Sequence, residues 1–220
     1  MKKIILGFTL VELLIVISIL SVLALVVIAA INPIEQANKA RDSKFQADSS
    51  QMVSAVERYF ASNQTYPWVK TAASICGAGA SVICSSVDSS MGYVNANATG
   101  VGICSGGCTN NSSTDGELVT KLELKDAFKN RDFLKTNANT GDQQTALGKG
   151  VGSSASLYAC YIPLSKTVRQ NAIDDGIVYT ISNSGARTQT GGVGQPCNTP
   201  ETWVNGALVG AGSCVICVPN

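Results

Sequence analysis

The sequence predicts an α+β protein in which a long N-terminal helix, half transmembrane and half amphipathic, packs against an antiparallel β-sheet head held by disulfides. Three observations predict it. Residues 13–31 (LLIVISILSVLALVVIAAI) are uncharged and mostly apolar. Apolar side chains then recur at spacings close to three and four up to Phe60. The rest of the chain is rich in Gly, Ser, Thr and Asn, carries all eight Cys, and alternates turn residues with short β-branched and aromatic runs.

Lys2 and Lys3 give the N-terminus a basic start, as in a secretory signal. The apolar run that follows is long enough to span a bilayer core of about 30 Å, and no A-x-A-like cleavage site follows it. On these features alone the segment reads as a signal anchor, with the lysines cytoplasmic and the bulk exported. Glu12 at the edge of the run does not fit that reading. A carboxylate there is costly without a partner, and no Lys or Arg lies between Lys3 and Lys39 to supply one at helical spacing. A partner has to come from elsewhere, and a newly made α-amino group at the start of the helix is a candidate.

MKKIILG followed by FTLVELLIVISIL resembles the class III signal of type IV pilins and of the pseudopilins of type II secretion. The resemblance implies a leader of residues 1–7, removed by a prepilin peptidase that cuts between Gly7 and Phe8 and N-methylates Phe8. Glu12 then becomes the fifth residue of the mature chain. Its carboxylate is expected to neutralise the Phe8 amine of a neighbouring subunit inside the membrane, where an unpaired charge is expensive. The implied fold is the type IV pilin fold, with residues 8–33 as transmembrane and filament-core helix. The implied partners are copies of the chain in a helical filament, the prepilin peptidase, the assembly platform with its cytoplasmic ATPase, and membrane lipid before assembly. The precursor is expected in the cytoplasmic membrane with its head outside, and the product in a surface filament.

Pro33 follows the apolar run, lacks the N–H that would bond the Ala29 carbonyl, and predicts a kink or loosening near Asn32 and Pro33. Residues 34–61 form the amphipathic continuation. Ile34, Ala37, Ala40, Phe45, Met52, Val53, Val56, Tyr59 and Phe60 mark its packing face. Lys39, Asp42, Lys44, Gln51 and Arg58 fall between them, and Glu35, Lys39, Asp48 and Gln51 read as solubilising surface residues. The helix is expected to run from Phe8 to about Ala61 and to end at SNQTYPW (62–68), with Asn63 as C-terminal cap. ERYFASNQTYP also resembles the corresponding junction in many pseudopilins and pilins.

Residues 62–220 make the head. Thr71 to Gly116 reads as a variable, bridge-stapled surface region. Thr114 and Glu117 have capping-box spacing, which predicts a helix across 115–129. Strands are expected over 156–164 and 176–182, a hairpin over 202–209 with Asn205-Gly206 at its turn, and a last strand over 213–218.

An even cysteine count in an exported-looking chain reads as a disulfide framework. Local proximity suggests Cys76 with Cys84, Cys104 with Cys108, and two bridges among Cys160, Cys197, Cys214 and Cys217. Two other readings use the same residues. Cys104, Cys108, Cys214 and Cys217 have spacings that could chelate zinc, and Cys214-x-x-Cys217 could be the dithiol of a signal-anchored binding or redox protein. Asp174-Asp175-Gly176 and Asp115-Gly-Glu117 could supply oxygen ligands to calcium, although Asp-Gly is first of all a turn signal. The N-x-S/T sequons at Asn63, Asn97, Asn110 and Asn111 are unremarkable in an Asn/Ser-rich chain.

A chain without His has no conventional catalytic triad, and it carries no P-loop or dinucleotide motif. No enzyme activity and no cofactor are expected. Sixteen basic against fifteen acidic residues, without a basic run, leave no electrostatic footprint for nucleic acid. The expected function is a structural subunit of an extracellular type IV pilus, a filament class that serves adhesion, motility or DNA uptake. The alternatives are a type II secretion pseudopilin, whose head is typically smaller and poorer in cysteine, and the signal-anchored binding or redox protein.

Overall fold

Leu10–Ala30 forms helix α1 although it is rich in Val and Ile, which lose rotamer freedom in helices. A helix satisfies its backbone polar groups internally, which is what an apolar surrounding demands. The computed structural model describes residues 7–30, 32–67, 82–86, 89–94, 102–104, 114–134, 141–149, 155–182, 185–190, 197–203, 208–210 and 212–220. The chain divides into two units, 1–37 and 38–220. In the first, α1 is exposed on every side as far as Ile28, and Leu10–Ile28 is long and apolar enough to cross a membrane. The hydroxyls of Ser18 and Ser21 donate to the carbonyls of Ile15 and Ile17, so neither needs a partner outside the helix.

Helix α2 covers Pro33–Asn63. The helix expected from Phe8 to about Ala61, with a kink or loosening near Asn32 and Pro33, is interrupted at that place: α1 ends at Ala30 and Pro33 opens α2. Asn32 Oδ1 accepts the Glu35 amide at 3.2 Å and the Asn32 carbonyl accepts that of Gln36 at 3.2 Å. Asn32 is therefore the N-cap and Pro33 the first helical residue, where its missing N–H costs nothing. At the other end Asn63 Nδ2 donates to the Tyr59 carbonyl at 2.9 Å, while Gln64 takes the left-handed conformation at φ 54°.

Within 38–220, α2 buries Phe45, Met52, Val53, Ala55, Val56 and Tyr59. Ala40 and Phe60, assigned to this face from the periodicity, are exposed, as are Ile34 and Ala37. The larger correction concerns Asp42 and Asp48, expected among the outward polar residues. They are 2% and 4% exposed.

The main sheet is antiparallel throughout, in the order β1-β2-β3-β4-β7: β1 Val82–Ser86, β2 Ser89–Val94, β3 Thr145–Lys149, β4 Leu157–Tyr161 and β7 Ile216–Val218. β1 and β2 lie inside the stretch read as variable surface, and β3 lies ahead of the first strand expected from the sequence. Thr145, Leu147 and Lys149 pair with Tyr161, Ala159 and Leu157 and share one face. That face meets α2, with the Phe45 and Tyr161 rings 5.9 Å apart. Tyr158 and Cys160 point the other way, where a second hairpin covers Tyr158: β5 (Tyr179–Ile181) and β6 (Arg187–Gln189). The Tyr158 hydroxyl donates to the Gly185 carbonyl at 2.6 Å, and the Arg187 guanidinium lies over the rings of Tyr158 and Tyr179 at 5.4 and 5.0 Å. Helix, sheet and hairpin thus make three layers, and β3 and β4 are buried along their whole length.

The expected strand over 156–164 is five residues, and that over 176–182 is three. The expected helix over 115–129 is a four-residue α3 (Glu117–Thr120), followed by a 3-10 turn at Asp126–Asn130. Thr114 does not cap it; the N-cap is Gly116, without a side-chain bond. Asp115 is drawn into an antiparallel bridge with Cys104, and the Gly116 amide bonds the Ile103 carbonyl at 2.9 Å. A Cβ at Gly116 would stand 2.3 Å from the Gly102 oxygen, so only glycine permits this approach. In place of the hairpin over 202–209, Pro200–Trp203 is a 3-10 turn and Leu208–Gly210 a bend; Asn205 and Gly206 lie outside the described residues. Helix α4 (Lys166–Asp174), absent from the sequence reading, starts at Ser165, whose hydroxyl accepts the Val168 amide at 3.2 Å.

Candidate functional site

Gly7, Phe8 and Thr9 precede α1 in non-helical backbone and are exposed. A Cβ at Gly7 would meet nothing within 4 Å. The helix begins in a reciprocal cap. Thr9 Oγ1 accepts the Glu12 amide at 3.2 Å, while Glu12 Oε2 accepts the Thr9 amide at 2.9 Å and the Thr9 hydroxyl at 2.8 Å. One carboxylate oxygen thus takes both donors and fixes the side chain against the first turn. Among the described residues nothing is bonded to Oε1, and no cation pairs with the group. Negative charge also favours the N-terminal end of the helix dipole. Chemically this is an exposed anion, oriented by Thr9 and with one oxygen open to an external cation, at the head of a helix otherwise uncharged and mostly apolar. Thr9 is the residue that the sequence reading missed. Its signal was there: T-x-x-E immediately ahead of an apolar run is a capping box.

The other predicted residues lie apart from this site. Pro33 begins α2. Cys160 bonds Cys217 between paired positions of β4 and β7, and Cys197 bonds Cys214. These are the two bridges expected among the four. Cys104 is also disulfide-bonded. Cys76 and Cys108, and the side chain of Cys84, lie outside the described residues, so the two local pairings expected for them do too.

The arrangement bears on three other uses of these residues. A zinc site at Cys104, Cys108, Cys214 and Cys217 would need free thiolates, yet the sulfurs of Cys104, Cys214 and Cys217 are in disulfides. The Cys214-x-x-Cys217 dithiol is divided between two bridges, because β7 sets Cys217 opposite Cys160. Asp174 and Asp175 close α4. Asp174 Oδ1 accepts Gln170 Nε2 at 2.9 Å, and Gly176, at φ 68°, ends the helix as the Ile177 amide reaches back to the Ala172 carbonyl at 2.9 Å. Asp115 takes the ammonium of Lys129, which also bonds Asp126 at 2.6 Å, and Glu117 accepts the Tyr59 hydroxyl at 3.3 Å. Among the described residues no cluster of three or more His, Cys, Asp or Glu forms a metal-binding group. At the Asn63 sequon the amide nitrogen is engaged at the helix end, and Asn97, Asn110 and Asn111 lie outside the described residues.

Comparison with protein-family models, with curated proteins and with solved structures finds no match.

Proposed function

We propose that the chain is a structural subunit of a type IV pilus-like filament, held in the membrane as a precursor and assembled through α1. The observation that carries this reading is the N-terminal helix: apolar on every side, exposed to Ile28, and bearing a single oriented carboxylate at its start. A helix of this kind has to be covered, by lipid or by other apolar helices. Copies of itself serve both requirements in turn. The resemblance of the GFTLVELL start supports cleavage at the exposed Gly7–Phe8 bond and methylation of Phe8. The amine so released bears positive charge, and Glu12 Oε1 of a neighbouring copy accepts it. Thr9 holds that carboxylate in place. The large, cysteine-rich head favours a pilus over the short pseudopilus of type II secretion.

Assembly of Glu12→Gln tests the proposal in cells whose own copy is deleted. Wild type is expected in the fraction sheared from the surface, with filaments visible by electron microscopy. The variant is expected to be processed but to stay in the membrane fraction. Filaments from the variant at wild-type yield would overturn the cross-subunit role of Glu12.

A further inference from the structure

The two C-terminal bridges are nested in sequence. Cys160 reaches over 57 positions to Cys217 and encloses Cys197–Cys214, separated by 17. Neither uses the closest pair available, Cys214 and Cys217, three positions apart. In an unfolded chain the entropic cost of closing a loop grows with its length, so local encounter favours that pair over both native ones. The folded chain separates the two cysteines. Val215 is bridged to Tyr179, Ile216–Val218 is paired with β4, and a 214–217 bond would require a tight turn in place of that strand.

Burial adds an order of events. Cys160, Cys197 and Cys217 are fully buried and Cys214 is 2% exposed, so no external thiol reaches the finished bridges. Rearrangement has to precede docking of β7.

We propose that Cys214 and Cys217 form the first disulfide of this quartet and that the native bridges arise from it by exchange. This rests on the export reading, which supplies the oxidising compartment. An oxidant of the disulfide class, such as oxidised glutathione, couples the two thiols and leaves as two thiols of its own. The Cys197 thiolate then attacks Cys214 Sγ, forming Cys197–Cys214 and expelling Cys217 as a thiolate, with no net transfer of electrons. A second equivalent of oxidant couples Cys217 to Cys160, again leaving as two thiols. Closure of this last bond fixes β7 on β4. The C-x-x-C pair is thus an intermediate of maturation, and the chain is a substrate for thiol–disulfide exchange catalysts.

The test uses the full chain, reduced and denatured, then transferred to detergent micelles with oxidised glutathione. Samples are acid-quenched, alkylated and mapped by peptide mass. The 214–217 disulfide is expected first, declining as 197–214 grows, and it is expected to accumulate several-fold in Cys197→Ser, whether or not that variant completes folding. First appearance of 197–214 or 160–217 without 214–217, or no accumulation in Cys197→Ser, overturns the proposal. Because this mapping needs neither cleavage nor assembly, its failure leaves the filament reading standing.

Discussion

Thr9 and Glu12 show how two small side chains set a carboxylate for use. Replacing Thr9 with Val keeps the shape but removes the hydroxyl that bonds Glu12 in both directions. In micelles the amides of the first turn of α1 are expected to exchange with solvent several-fold faster than in wild type, and equal rates would deny the cap its role. Asp42 and Asp48 are the other informative residues. Asp42 accepts the amides of Leu164 and Ser165 at 2.9 and 2.8 Å and so fastens the entry of α4 to α2. Asp48 lies 3.3 Å from Arg131 Nε, and its Oδ2 is buried without a hydrogen bond. Burial pushes both carboxyls above the ordinary aspartate value of 3.8, against the pull of those amides at Asp42 and of Arg131 at Asp48. A raised folded-state pKa means that the ionised form costs stability, so the contribution of each is fully present below the unfolded value and is lost as pH rises through the folded one. Asp48→Asn is therefore expected to flatten the fall of the thermal midpoint as pH rises above the ordinary aspartate value of 3.8, because its partner Arg131 is exposed enough to reach water. Asp42→Ala is expected to destabilise the head by about 1–3 kcal/mol for each amide left orphaned, read from urea unfolding.

Among the elements, α3 is short because its end is fixed as firmly as its start. The Glu123 amide bonds the Leu118 carbonyl and the Leu122 amide that of Val119, a Schellman closure that puts Leu122 in the left-handed region at φ 60° and leaves it 89% exposed. A leucine there pays backbone strain and buries little. Leu122→Gly is expected to raise stability by roughly 0.5–1 kcal/mol, less than the full relief because glycine also gains freedom in the unfolded chain. The joint variant Cys160→Ser/Cys217→Ser is expected to cost about 2–5 kcal/mol, since it releases β7 from β4. The apolar helix, the core of β4 and the last strand were legible in the sequence because each is a run of residues whose type alone decides its fate. β3 was not. Thr145, Leu147 and Lys149 face α2 while Ala146 and Gly148 face the hairpin, and a strand buried on both sides around a Gly and a Lys shows no alternation to read. α4 is short and polar, and its two signals, Ser165 before it and Gly176 after it, were overlooked or taken for a turn. Asp42 was assigned outward because it is charged. Its burial depends on two amides more than a hundred positions away, a tertiary fact that no local pattern carries. At the candidate site, Glu12 stood out as the one charge at the apolar run, whereas Thr9 needed the capping pattern to be applied at the edge of a membrane segment.

At the scale of the whole molecule, one chain holds two kinds of surface. Residues 38–220 bury their own core between helix, sheet and hairpin, while α1 buries none of its apolar side chains as far as Ile28. The proposed sequence of events gives α1 lipid as its first cover and neighbouring copies as its second, with the exposed Gly7–Phe8 bond as the step that creates the amine Glu12 awaits. Intact mass and N-terminal sequencing of protein sheared from producing cells tests this most directly. The account predicts a chain that begins at N-methylated Phe8 with its cysteines oxidised. A sheared chain that retains Met1 to Gly7 would contradict it and leave a plain signal anchor in its place.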